Sequence, residues 1–345
     1  MQNSQNQKSS PLEPKSRIVC LTATGLDCLK ELDLEPVGYL NQGVADRPEF
    51  YGDRAQSFTS VGSWLFPDRE AIRASNPDLI LGWRFPHRFY RRINQIAPVH
   101  ILSGTGYESA KARLLEIGEL TGRSPQAEAT LDALEIQLDA LRQLYQERPS
   151  IAIIGGSAIN RIANRYPAEA DTGTLGSVIK DFTTFPWSKP TDRGEAGLMY
   201  ISLQQLQEVD PEIIFVQSYG QTPLSEQLAQ NSRWQQLQAV QRQQVFEIPQ
   251  LWHWGNGIRM IRLGLMRLLP LLYPHSFEIE DRGLRQRQLC ERMGRQYRAV
   301  AQTAKRKGIT IHGLVQQETR WRLIKELYYP PLEYSDRLSR KKGSG

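Results

Sequence analysis

An α/β fold built as two lobes on either side of one long helix is predicted by three observations. A strand, helix, strand unit with short connections opens the ordered sequence at Arg17, and such units build parallel sheets. The longest helical pattern, Ser124 to Glu147, stands near the middle of the chain. On its two sides the same landmarks recur: apolar strands begin at 18 and 151, and the prolines before two acidic-apolar strands lie at 77 and 211. A spacing shared by two landmarks argues for a duplicated architecture. The chain has 345 residues, beyond the size at which single cores stop growing, so two domains are expected.

In chain order, residues 1–16 read as a polar, disordered leader rich in Gln, Ser, Asn and Pro. The first lobe spans 17–123. Ile18 to Leu21 forms its first strand, Leu26 to Leu34 returns to helical spacing, and Glu35-Pro36-Val37-Gly38 starts the next strand. A short helix over Asp68 to Ser75 leads through Asn76-Pro77 into the strand Asp78 to Gly82, and a helix from about Phe89 leads to Pro98 to Leu102. The connecting helix, within 124–148, lines Leu131, Leu134, Leu138, Leu141 and Leu144 on one face at steps of three and four. Ser124 suits its cap, Pro125 its first turn, and Pro149 its end. A long helix inside a single domain is the plainer alternative. The second lobe, 149–280, repeats the order with Ile151 to Ile154, a short helix over Ser202 to Val209, the strand Glu212 to Val216 after Asp210-Pro211, and Val245 to Pro249. A basic, mostly helical extension fills 281–345.

Several function classes lose support. Cys20, Cys28 and Cys290 have neither disulfide pairing nor metal spacing. The five histidines show no ligand spacing, and a phosphate loop, dinucleotide fingerprint or nucleophile elbow is missing. An enzyme and a resident metal or cofactor are therefore not expected. The start has no apolar signal region, and the apolar stretch Ile258 to Tyr273 is interrupted by Arg259, Arg262, Arg267 and Pro270. The net charge of +6 is uneven: residues 281–345 carry 16 Lys or Arg against 6 Asp or Glu, leaving −4 for the rest.

Ligands of open parallel sheets gather beyond the carboxyl ends of the strands, where this chain is rich in aromatics and arginine. The candidate ligand contacts are Trp64, Trp83, Arg84, Arg161, Arg165, Tyr166, Tyr219, Trp252, His253 and Trp254. Tryptophan and tyrosine offer a broad apolar face with a polar edge, and arginine a fixed fork for anionic oxygen. Together they suit a large, partly anionic ligand. Taken singly, Trp64 and Trp83 equally suit packing at strand ends, and His253 suits a hydrogen-bonded structural residue.

Loose motifs between Arg17 and Pro274 share one order and spacing: R-I-V at 17–19, P-V-G at 36–38, V-G-S at 61–63, E-A-I at 70–72, P-D-L-I-L-G-W at 77–83, P-V-x-I-L at 98–102, I-G-E-L-T-G-R at 117–123, D-P-E-I-I-F-V at 210–216, R-W-Q-Q-L-Q-A-V at 233–240 and L-Y-P at 272–274. This series resembles the helical-backbone class of ABC-importer substrate-binding proteins, those for ferric siderophores, haem and cobalamin. The resemblance implies two Rossmann-like lobes, a rigid helix, ligand between the lobes, little hinge motion and no catalysis. It also implies a permease partner docked through a glutamate on each lobe. Glu70 matches the first, whereas Gln204 stands at the second, with Glu208 one turn away.

The ligand expected on this basis is a ferric siderophore, with cobalamin or haem as runners-up; haem would need Tyr166, Tyr219 or His253 as axial ligand. The resemblance implies a periplasmic monomer. The alternative, suggested by the sequence as written without a visible signal, is a cytosolic chelate sensor acting through its basic tail on anionic membrane or nucleic acid.

Overall fold

Each half of the chain starts its sheet with a wholly buried apolar strand, β1 (Ile18–Cys20) in the first and β6 (Ile151–Gly156) in the second. The structure, a computed structural model, describes residues 14–40, 42–63, 66–83, 91–145, 147–188 and 197–273. The leader through residue 13 and the basic extension 281–345 lie outside the described residues.

In the first sheet β1 lies between β2 (Gly38–Tyr39) and β4 (Leu79–Gly82), with β3 (Thr59–Ser60) and β5 (Val99–Ile101) at the edges. All pairs are parallel, and β1 registers on β4 as Ile18 to Leu79. The second sheet contains β6, β7 (Tyr166–Glu169), β8 (Leu198–Ile201), β9 (Ile213–Ser218) and β10 (Val245–Glu247) in the order β10-β9-β6-β7-β8. Its parallel core, β6 beside β9 beside β10, repeats β1 beside β4 beside β5.

The repeat extends to local chemistry. Asn76 and Asp210, each preceding the proline that opens β4 or β9, adopt left-handed backbone with φ of 44 and 42. Asparagine and aspartate tolerate this region better than other L residues. Asp78 accepts from the backbone N–H of Ser16 and Arg17, and the equivalent Glu212 accepts from the Ser150 hydroxyl. The short helices before these strands, Arg69–Ala74 and Leu203–Val209, are capped by Asp68 and Ser202.

The expectation of two parallel sheets is corrected in the second, which is mixed. Strands β7 and β8 pair antiparallel with each other, and β7 meets β6 antiparallel at Ile154 and Ala168. Pro167 inside β7 has no N–H to donate, which makes the segment read as loop and accompanies its sparse pairing to β6. The long helix is present over Ser124–Leu144, and Leu131, Leu134, Leu138 and Leu141 are all buried, as their spacing predicts.

The chain divides into two compact units, Met1–Glu128 with Tyr145–Arg267, and Ala129–Leu144 with Leu268–Gly345. Both sheets belong to the first. Within it the two halves are joined where the helix Ile258–Leu272 begins. Asp27, fully buried on helix Ala23–Glu31, accepts from the backbone N–H of Arg259 and Met260 at 3.0 and 2.7 Å, supplying the caps that this helix start lacks locally. Glu31 receives Arg259 at 2.9 Å and Arg262 at 2.6 Å, and Arg259 also donates to the Glu49 carbonyl. Arg113 binds the carbonyls of Ser103, Gly104 and Asn256.

Breaking a buried pair from one side leaves its partner charge uncompensated, at a cost of about 3 kcal/mol or more. Arg259→Met should therefore lower the free energy of urea unfolding by about that amount. Arg54→Ala, which removes an exposed partner of Glu35, should leave the midpoint unchanged.

Candidate ligand-binding site

Three strand ends of the second sheet are laced together at their carboxyl side. The Tyr219 N–H, just past β9, donates to the Gly156 carbonyl at the end of β6 at 2.8 Å. Beyond β10, Gln250 donates to the Ser218 carbonyl, and the Trp252 N–H donates to the buried Gln217 side chain at 3.2 Å. This brings the turn Leu251–Trp254 over the ends of β6 and β9. Glycine is required beneath it, because a Cβ on Gly155 would lie 2.6 Å from Trp252 Cζ3 and 3.1 Å from the Tyr219 hydroxyl.

The aromatic cluster built on this floor joins several of the sequence candidates. Tyr219 stacks on His253 with ring centroids 5.0 Å apart and lies 6.5 Å from Trp252. Trp252 is half-buried and His253 exposed, whereas Trp254 is fully buried against the edge of Phe50. Arg165 lies 5.0 Å over the Tyr200 ring, and Arg161, also exposed, follows β6 on the helix Ala158–Ala163. Tyr166, by contrast, is 1 % exposed within the core of the second sheet. Tyr166 and Trp254, both expected at the ligand surface, thus turn inward, since their rings complete apolar cores. Trp83 is half-buried at the carboxyl end of β4, while Trp64 and Arg84 lie outside the described residues.

Two further residues belong to the cluster. Arg47, from the first half, lies 4.9 Å over the Trp254 ring and donates to the Gly43 carbonyl at 3.1 Å. Neither Arg47 nor Arg161 or Arg165 has a carboxylate partner among the described residues. Glu169, buried at the end of β7, accepts from the Gly176 N–H at 2.9 Å and from the Trp252 indole N–H. Arg47 carried no sequence signal, standing in the unremarkable turn Asp46-Arg47-Pro48. For Glu169 a signal existed: it stands between two alanines in an apolar strand run, followed by glycines at 173 and 176.

The electrostatics leave arginine as the charge on offer. Burial, with Glu169 and Tyr200 nearby, raises the Tyr219 hydroxyl well above its ordinary value, so it stays protonated. Partial burial and Arg47 push His253 down, favouring neutral imidazole. Among the described residues no group of His, Cys, Asp and Glu could hold a metal ion, and no helix is long and apolar enough to cross a membrane.

The family comparison is decisive on class: the Periplasmic binding protein family matches residues 18–251. The chain belongs to that family. Its members are substrate-binding proteins of ABC importers and are not enzymes, so the site binds rather than transforms its ligand. Among similar proteins, the Fe(3+) dicitrate-binding periplasmic protein FecB of Escherichia coli is 28% identical over 239 residues, covering 67% of this chain and 76% of its own. The putative ABC transporter substrate-binding lipoprotein YhfQ of Bacillus subtilis is 25% identical over 249 residues, or 69% of this chain and 77% of its own. In structure, the Fe3+-Desferal-bound siderophore-binding protein FhuD from Vibrio cholerae aligns with a TM-score of 0.63 at 18% identity, over 74% of this chain and 98% of that one. That likeness supports the α/β fold of one parallel and one mixed sheet.

Glu70, the permease-docking candidate, is exposed on the first turn of its helix and pairs with Arg73 at 2.6 Å. Gln204 occupies the equivalent second position after the cap of its helix and donates to Glu208 at 3.1 Å.

Glu169 makes stability depend on pH. Burial raises its pKa from the ordinary 4.5 to about 7, against the lowering effect of the Gly176, Trp252 and Leu175 N–H donors. The group's contribution is full below about 4.5, where both states hold the proton, and is lost as pH rises through about 7. The stability of the wild type relative to Glu169→Gln should therefore decline across this window, by at most about 1.4 kcal/mol per pH unit. Urea titrations of both proteins at several pH values measure the slope; parallel pH profiles would contradict the assignment.

Proposed function

We propose that this chain is the substrate-binding protein of an ABC-type iron uptake system and that it holds an anionic ferric chelate, of the citrate or siderophore class, at the carboxyl ends of its strands. The observation that carries this reading is the aromatic cluster of Tyr219, Trp252 and His253 together with arginines that have no carboxylate partner among the described residues, Arg47 from the first half and Arg161 and Arg165 from the second. Aromatic faces take the apolar body of a chelate, and guanidinium forks take its carboxylate or other anionic oxygens. The dicitrate ligand in the name of FecB and the siderophore ligand in that of FhuD fit this chemistry.

In this reading Trp64, Trp83, Arg84, Arg161, Arg165, Tyr219, Trp252 and His253 touch ligand, with Tyr166 and Trp254 behind the surface. The lobes are 17–123 and 149–280, and Glu70 docks to the permease. The site lies outside the cytoplasm, in keeping with FecB, a periplasmic protein, and YhfQ, a lipoprotein. Of the three residues that haem would need as axial ligand, Tyr166 is buried and the Tyr219 hydroxyl is held protonated, which leaves His253 alone to supply one.

Indole fluorescence titrations with ferric citrate, a ferric hydroxamate, a ferric catecholate, haem and cobalamin test the reading. A ferric chelate should bind below about 1 μM, near −8 kcal/mol; the reading is abandoned if haem or cobalamin alone binds, or if nothing does. Arg47→Ala should weaken the anionic chelate about tenfold or more, as removal of a charged hydrogen-bond donor does; Arg165→Ala should weaken it less, chiefly through a slower, salt-dependent association, and both should leave a neutral analogue unchanged. Small-angle scattering should show no resolvable change in radius of gyration on binding, because the halves are already joined through Asp27, Glu31 and Arg259.

A further inference from the structure

Glu169 is a buried acid that no cation neutralises: no Lys, Arg or His pairs with it among the described residues. Burying a carboxyl costs several kcal/mol unless its oxygens are satisfied, about as much as a small domain can spare. Its two oxygens are divided. Oε1 takes the Gly176 N–H at 2.9 Å, and Oε2 takes the Trp252 Nε1–H. The cavity that admits the carboxyl depends on missing side chains, since a Cβ on Gly173 would stand 2.2 Å from Oε1 and one on Gly176 would stand 3.1 Å from Cγ.

The other face of the same indole rests on Gly155, where a Cβ would come within 2.6 Å of Cζ3. Trp252 is thus gripped at its nitrogen and at its six-membered ring. An indole has one N–H, so only one of its two ring flips satisfies Glu169. The strand end bearing Glu169 and the turn bearing Trp252 are 83 residues apart in sequence, so the bond fixes a loop rather than a local turn.

We infer that Glu169 is a positioning residue for ligand: through its hydrogen bond it locks the indole of Trp252 in a single orientation on the Gly155 floor, making Trp252 a rigid face on which the body of the chelate stacks. This rests on the proposed ligand-binding role of the cluster. The groups facing the carboxyl are Trp252, the Tyr219 hydroxyl, and the amides of Leu175 and Gly176. A ligand that stacks on a preset indole loses less conformational freedom than one that must order it. Glu169 therefore acts on affinity without touching ligand.

The test uses the full chain as Glu169→Gln, Glu169→Leu, Trp252→Phe and the two double variants. Near-ultraviolet circular dichroism without ligand should lose the same indole band in Glu169→Leu as in Trp252→Phe, with no further loss in the double variant. In the wild type that band should shift with a midpoint near pH 7, where Glu169 titrates, and the shift should vanish in Glu169→Leu. The dissociation constant for ferric citrate should rise about tenfold in Glu169→Leu, less in Glu169→Gln, which keeps one acceptor oxygen, and by less than about twofold when either is added to Trp252→Phe. Should Glu169→Leu fail to fold, Glu169→Gln carries every comparison. An unchanged indole band, or an equal loss of affinity with and without Trp252, overturns the inference. If the wild type binds no ferric chelate, the ligand reading falls, while the circular dichroism still decides whether Glu169 locks Trp252.

Discussion

The structure depends on a buried exchange between two acids of the first half and the start of one helix of the second. Asp27 receives the free N–H groups at the start of Ile258–Leu272, and Glu31 receives Arg259 and Arg262. Desolvation by burial, together with repulsion from Glu31 a turn away, raises Asp27 to about 7. The arrangement holds because two guanidinium groups and two backbone donors converge on the same place, with Arg259 also covering the Phe50 ring. The hydrogen bonds close sequence separations of 228 to 233 residues. Such a junction fixes more than the helix. Three residues separate the turn carrying Trp252, His253 and Trp254 from Ile258, where that helix begins, so the junction anchors the turn from its C-terminal side while Gln217 and Glu169 hold it from below.

Local rules made much of the fold legible. The buried runs at Ile18 and Ile151, the Asn76-Pro77 and Asp210-Pro211 steps, the Asp68 and Ser202 caps and the leucine stripe of Ser124–Leu144 each follow from one short stretch of sequence. What could not be read depends on partners far away. Arg259 and Arg262 look in sequence like interruptions of an apolar helix, yet their three-residue spacing puts both on one face, where Glu31 waits. Pro167 hides β7 because a proline contradicts a strand until its sparse pairing with β6 is known.

The site divides in the same way. Residue type alone pointed to Tyr219, Trp252 and His253, and the fold does gather them. Type alone could not tell a ring that faces solvent from one that completes a core, so Tyr166 and Trp254 looked equivalent to their neighbours while the fold buries them. Arg47 was invisible because its value lies in the Trp254 ring beneath it. Electrostatic reading changes the balance of the cluster as well. With Tyr219 protonated and His253 pushed down, its permanent charge comes from arginine, which favours a ligand that brings its own negative charge.

Rigidity and charge then act on different parts of recognition. Arg161 and Arg165 are exposed, so their attraction for an anion is long-ranged but weakened by water and salt. They serve capture more than retention. Retention falls to groups whose geometry is set before ligand arrives: the indole of Trp252 between Glu169 and Gly155, and the Tyr219 ring tied through its backbone to Gly156. A preset surface lowers the ordering cost of binding, whereas a mobile one would have to recover that cost from its contacts with ligand. The glycines at 155, 173 and 176 therefore matter as much as the aromatics, since each makes room for a side chain that a larger residue would displace.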